Sequence, residues 1–257
     1  MGVKQWNGDT MRGELPLSFA LLMAMAAAAS ATDWYTGAPA DTSVKTAPTV
    51  AIDMAVDATS QNALAGALIG TIAPFAPLDQ SGIRVRLSGV AGKYDYTTSD
   101  LGVIDGVFQQ GALLVGYEWV SPQIKVAGLV GGEVVHNSIT PNDPNNPVKG
   151  TTGGFKVGVD FYCNPTDATM LSGVATFSTN HDAYYGRAKF GVAVGDQLYV
   201  GPEAMLLGDD FFHQWRIGGH TSGFRIGPIQ AGVSGGYLYD YVRGSGGYGI
   251  LETRVTF

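Results

Sequence analysis

Cysteine is almost absent from this chain: Cys163 is the only one, so no intrachain disulfide can form. It is expected as a small apolar residue on a strand face rather than as a reactive thiol. Charge is scarce too, at 14% of residues, although the hydrophobic fraction of 45% is ordinary. A water-soluble protein of this size normally carries more charge, and the deficit fits a surface that faces lipid. What charge there is sums to −7, which argues against nucleic acid as a partner. The histidines (His136, His181, His213, His220) are dispersed without metal-ligand spacing. Gly244-Ser245-Gly246-Gly247 lies between two strand-like segments, so it is no phosphate loop. No metal and no cofactor are expected.

Long apolar runs are missing after Ala31, which excludes a membrane-spanning helix beyond that point. Before it, residues 1–31 have the pattern of a secretory signal. Lys4 and Arg12 form a basic start diluted by Asp9 and Glu14, and Met11 is an alternative first residue. The apolar stretch Leu15 to Ala28 follows, and Ala29-Ser30-Ala31 supplies a small-x-small site with cleavage expected before Thr32. The run is too short and too alanine-rich for a retained anchor. Removing it takes away two cations and two anions, so the net charge stays at −7. Residues 32–48, rich in Thr, Ala, Pro and Asp, have no periodicity and are expected as an extended periplasmic lead-in.

Glycine and aromatics are abundant: 37 Gly, 12 Tyr and 11 Phe. Glycine at that density penalises long helices, whereas strands tolerate it where a wall bends. From residue 49 to 257 the chain divides into alternating segments separated by turn chemistry, at 49–57, 62–73, 82–95, 107–120, 123–136, 153–163, 168–179, 183–194, 198–207, 211–220, 224–239 and 246–257. The fold class is therefore all-β, an antiparallel up-and-down transmembrane barrel of about twelve strands, and only closure satisfies every backbone group in lipid. An even count places both ends in the periplasm of a Gram-negative cell. Short turns are expected at Ser121-Pro122, Asn164-Pro165-Thr166-Asp167, Gly195-Asp196-Gln197 and Thr221-Ser222-Gly223, opposite a long polar loop at 137–152. Pro74 to Ser81 is long for a periplasmic turn.

Charge parity carries most weight. Ile83, Val85 and Leu87 alternate with Arg84 and Arg86; Ile124, Val126, Val130 and Val134 oppose Lys125 and Glu133; Phe155, Val157, Val159 and Phe161 oppose Lys156 and Asp160. Ala188, Phe190 and Val192 oppose Arg187 and Lys189, and Leu251, Val255 and Phe257 oppose Glu252 and Arg254. Strand neighbours point to opposite faces, so one face is expected against hydrocarbon and the charged one in the lumen. The terminal aromatic Phe257, and pairs such as Tyr117 and Trp119 or Tyr237 and Tyr239 near strand ends, suit an outer-membrane barrel with aromatic girdles. Turn symmetry pairs Glu118 with Lys125, Lys189 with Glu203, and Glu203 with Arg216. The row Lys189, Glu203, Arg216 is either a selective or sugar-contacting constriction or a set of ion pairs filling a narrow lumen. His136-Asn137-Ser138 has the His-x-Ser arrangement of outer-membrane phospholipases, but no third orienting group is in sight and no catalytic residue is expected.

Several short stretches resemble a known family. They are Val200-Gly201-Pro202-Glu203, Gln214-Trp215-Arg216-Ile217-Gly218-Gly219-His220, Gln230 to Tyr237 and Gly246-Gly247-Tyr248-Gly249. Asp33 to Gly37, Arg86 to Gly89 and Lys93 to Tyr96 add to them. The chain is similar to the cellulose biosynthesis protein BcsS family of alphaproteobacteria. That resemblance implies a non-enzymatic outer-membrane accessory of cellulose production, with membrane lipid and cellulose or other synthesis components as partners; it supplies no catalytic residues, and a glucan path on that reading has Tyr162, Tyr248 and the charged row as candidate contacts. A general small porin or structural barrel, and a lipid hydrolase using His136 and Ser138, are the alternatives.

Overall fold

The computed structural model describes residues 47–195 and 198–257. The expected leader at 1–31, the lead-in as far as residue 46, and the turn residues Asp196 and Gln197 lie outside the described residues. Twelve strands follow in order: β1 (Val50–Thr59), β2 (Ala63–Ile72), β3 (Gly82–Thr98), β4 (Gly102–Val120), β5 (Ile124–Thr140), β6 (Gly150–Thr166), β7 (Thr169–Ser178), β8 (Tyr184–Gly195), β9 (Leu198–Gly208), β10 (His213–Ile226), β11 (Ile229–Asp240) and β12 (Gly244–Thr256). Each is antiparallel to the next, and β12 closes on β1 from Ala51↔Thr256 to Thr59↔Tyr248. Closure leaves no free edge, which is what lipid demands of a sheet. The start of β1 and the end of β12 lie at one end of the barrel, called here the terminal end.

The wall is inverted relative to a water-soluble protein. Leu87, Leu113, Leu206, Ile217 and Leu251 are more than half exposed on the outside, while Arg84, Glu118, Lys156 and Glu252 are buried inside. A surface of that kind is stable against hydrocarbon, so the structure is a transmembrane barrel. Strands β3 to β6 run for 17 to 19 residues, longer than the 10 to 14 of the others. Their extra rows point Lys93, Asp95, Asp105, His136 and Ser138 outward, so these strands continue past the apolar band. The loop expected at 137–152 shrinks accordingly to 141–149.

Three turns differ from expectation. Thr221-Ser222-Gly223 belongs to β10: the register shifts there, Gly223 takes φ 91°, and the chain reverses instead at Gly227-Pro228. A bulge and a turn both use a left-handed glycine, so the residue type alone misplaces the reversal. Asn164 and Pro165 form a second bulge within β6. The β4–β5 reversal is centred on Pro122-Gln123, closed by Ser121 N donating to Ile124 O at 2.8 Å. The long 74–81 connector folds back on the terminal end. Its Leu78 N donates to Pro48 O at 2.8 Å, its Leu78 side chain packs on Ala51 and Ala73, and Arg84 Nη2 donates to the carbonyls of Gln80 (2.5 Å) and Pro77 (3.3 Å).

One break in the wall is repaired from inside. Pro202 has no N–H to give a ladder, and between Lys189↔Glu203 and Val192↔Val200 the β8–β9 pairing is interrupted. His220 sits opposite Gly201, and its Nε2 lies 3.0 Å from the Phe190 carbonyl oxygen. A carbonyl only accepts, so Nε2 carries the proton and Nδ1 takes the Ser222 hydroxyl at 2.9 Å. Glycine is required at 201, where a Cβ would stand 2.0 Å from the same carbonyl oxygen. His220→Leu keeps the bulk and removes the donor. It is expected to cost about 1–3 kcal/mol, seen as a lower temperature at which the folded barrel loses its compact gel mobility; an unshifted transition would mean the histidine is not the repair.

Candidate functional site

The interior is built from the inward residue of every second position, and twelve of the thirteen charged residues singled out by parity and by turn pairing are buried there. Lys125, on the same inward face near the terminal end, is half-buried. Burial of a charge is tolerated only with a partner, and the partners come from far walls as often as from neighbouring strands. Arg86 Nη2 of β3 meets Asp160 Oδ2 of β6 at 2.8 Å. Arg187 of β8 grips Glu203 of β9 through Nε (3.1 Å) and Nη2 (2.7 Å), and its Nη1 bonds to Glu252 of β12. Lys189 Nζ reaches Glu252 Oε2 at 2.9 Å. Arg216 of β10 holds both oxygens of Asp57 on β1, at 2.9 and 2.7 Å, and its guanidinium lies 5.1 Å from the Tyr248 ring centre. Tyr248 in turn donates to Glu203 Oε1 at 2.7 Å. Arg84 with Glu118 (2.5 Å), Lys156 with Glu133 (2.7 Å) and Arg254 with Asp53 (3.7 Å) are further pairs.

The expected row is brought together in part. Lys189 does stand opposite Glu203. Glu203 stands opposite Gly218 rather than Arg216, and Glu118 opposite Ala127 rather than Lys125. Both departures have one cause: the true reversals centre on Asp210-Phe211 and Pro122-Gln123, one residue later than supposed, which moves each partner by two. Arg216 therefore finds Asp57, and Glu118 finds Arg84. Asp53 and Asp57 obey the same parity and are buried inside, two carboxylates that the sequence reading passes over. Tyr162 and Tyr248 are both buried, Tyr162 against Met170 and Tyr199 and Tyr248 between Glu203 and Arg216.

The end away from the termini is covered as well. In the 141–149 loop Asp143 Oδ2 accepts from the Tyr96 hydroxyl at 3.0 Å, Asn146 Nδ2 donates to that hydroxyl at 3.1 Å, and Val148 is buried against the barrel core. Arg243, in the β11–β12 turn, donates to the carbonyls of Gln61 (3.0 Å) and Asp95 (3.2 Å) and pairs with Asp240 at 3.0 Å. Asp209 receives the amides of Phe211 (2.8 Å) and Phe212 (3.1 Å), yet burial dominates and pushes its carboxyl up to about 7.

His136 and Ser138 both point outward, and His136 Nδ1 meets Thr151 Oγ1 at 2.7 Å. Neither faces the charged interior. Among the described residues no group of three or more His, Cys, Asp or Glu is arranged to hold a metal. Glu252 is the carboxylate on which two cations converge, so Glu252→Ala is expected to cost about 3–5 kcal/mol, the scale for stranding a buried charge. Thr253→Ala, one position on and on the opposite face, is the control; equal unfolding temperatures for the two variants would contradict the network's role.

A family model for cellulose biosynthesis protein BcsS matches residues 51–257. No curated protein matches the chain in sequence. Among solved structures, an outer-membrane channel from Pseudomonas putida F1 is similar with a TM-score of 0.50 and 10% identity, over 86% of this chain and 99% of that one. KdgM porin gives 0.43 and 10% over 80% and 99%, and the Acinetobacter baumannii outer membrane protein Omp33 gives 0.38 and 17% over 82% and 98%. The first likeness is one of fold, that of an outer-membrane barrel. The family match, in contrast, runs from β1 through the last residue, and the chain belongs to the cellulose biosynthesis protein BcsS family.

Proposed function

We propose that this protein is a non-enzymatic accessory of bacterial cellulose production, exported by its leader to the outer membrane of a Gram-negative cell. There it stands as a sealed wall-borne scaffold where the polymer is exported or laid down. The family match over the entire barrel supports the cellulose role. The observation that carries the scaffold reading is the bridging of the interior. Arg86 with Asp160, Arg187 with Glu252, and Arg216 with Asp57 join strands that are not neighbours in the wall. A glucan chain passing through would have to break such pairs, and each broken pair costs several kcal/mol. The terminal end lies in the periplasm on this reading, so the 141–149 loop and the Arg243 turn face the outside.

Membrane lipid surrounds the wall, and the cellulose-synthesis machinery or its product is the proposed partner of the exposed ends. The test has two arms. Deleting the gene should lower the cellulose recovered from the cell surface, and the purified barrel in a planar bilayer should show no stable conductance. Unchanged cellulose in the deletion strain would refute the role; a steady open channel would replace the scaffold by a general porin.

A further inference from the structure

The outer wall carries one feature that neither closure nor the ion pairs require. At the rim away from the termini, six rings from β8, β10, β11 and the start of the β11–β12 turn touch in a continuous patch. Tyr184 stacks on His213 at 6.0 Å and 21° between planes, and His213 meets Tyr241 edge-on at 6.4 Å. One row lower, Trp215 stacks on Tyr239 at 6.0 Å and 28° and tilts against Tyr237 at 5.5 Å. Tyr239 and Tyr241 join the rows at 5.4 Å. Tyr241 is 68% exposed.

We propose that this patch is a docking surface for a β-1,4-glucan chain, an inference that rests on the cellulose role proposed above. Three observations point to a neutral sugar polymer rather than to lipid alone. An interfacial girdle rings a barrel, but the outward positions at this rim on β1 to β5 are occupied by residues such as Ala58, Leu64, Lys93, Asp105 and His136, with no aromatic among them. Second, the rings keep polar partners on the outer face: Tyr184 Oη lies 3.1 Å from His213 Nδ1, and Tyr237 Oη lies 2.7 Å from Ser245 Oγ. Hydrocarbon has no use for such groups, whereas a pyranose ring offers an apolar C–H face for the ring planes and hydroxyls at its edge for the polar tips. Third, the neighbouring turns present exposed carboxylates, Asp182 and Asp210. They repel an anionic headgroup and are indifferent to an uncharged glucan.

The probe is cellohexaose, titrated into the purified full-length barrel in detergent and followed by intrinsic fluorescence, with maltohexaose as the comparison. The wild-type protein is expected to bind cellohexaose in preference to maltohexaose. Tyr241→Ala and Tyr239→Ala should each weaken binding about tenfold, the scale of one lost ring contact. Tyr241→Phe should retain it, and Phe155→Ala, an outward ring on β6 outside the patch, should have no effect. Compact gel mobility before heating establishes that each variant is folded. Absent binding by the wild type overturns the proposal, as does binding that ignores Tyr239→Ala and Tyr241→Ala. The same holds if those variants lower only the barrel's stability in lipid, which would make the rings a membrane girdle. Failure of the cellulose role itself shows separately, as unchanged cellulose in the deletion strain.

Discussion

Ionic side chains enclosed by a wall of strands must find counter-charges inside that wall, and the rest of this structure follows from that constraint. An isolated buried ion costs several kcal/mol even after relaxation, so the buried cations of the inner face are placed where a carboxylate from another strand can reach them. Because the tube is narrow, that carboxylate often belongs to a distant strand, as when Arg216 of β10 reaches Asp57 of β1. The pairs therefore do two things at once. They satisfy the charges, and they cross the lumen.

The closed backbone answers a second demand, the satisfaction of every N–H and C=O at bilayer depth. Pro202 shows how strictly it is met, since the carbonyl left over on Phe190 is taken by a histidine that reaches across a glycine. Gly201, Pro202 and His220 lie in stretches that carry the family likeness, Val200 to Glu203 and Gln214 to His220, so two of those stretches meet at this seam. With paired charges filling the interior, accessible loops and rings such as Tyr241 lie at the rims and on the outer face.

Much of this was legible in the residues. Alternation of Phe155, Val157 and Val159 with Lys156 and Asp160 defines both faces of β6, and the same rule places twelve strands with edges displaced by a few residues. Alternation weakens where a strand leaves the apolar band, which is why the expected fourth segment, 107–120, omits the start of β4, where Asp105 is exposed on the outward face. Register was harder. A reversal misplaced by one residue shifts a partner by two, enough to unite Glu203 with Arg216 on paper and separate them in the barrel. Contacts across the lumen, such as Arg86 with Asp160, have no signature in a linear pattern, because they depend on curvature and not on hairpin symmetry. Asp53 and Asp57 obey parity, but their partners lie on the last strand and on β10, at the far end of the chain.

Spin-label accessibility along β4 tests the orientation of the wall most directly. In a Cys163→Ser background, single nitroxides at positions 112 to 115 replace neutral residues and break none of the ion pairs described. Leu113 and Val115 are 58% and 50% exposed, while Ala112 and Leu114 are 4% exposed. In lipid vesicles, labels at 113 and 115 should collide freely with dissolved oxygen and poorly with a water-soluble nickel complex, while labels at 112 and 114 should be shielded from both. Equal accessibility at all four positions, or the opposite alternation, would contradict a barrel that holds its charges inside and its apolar side chains against hydrocarbon.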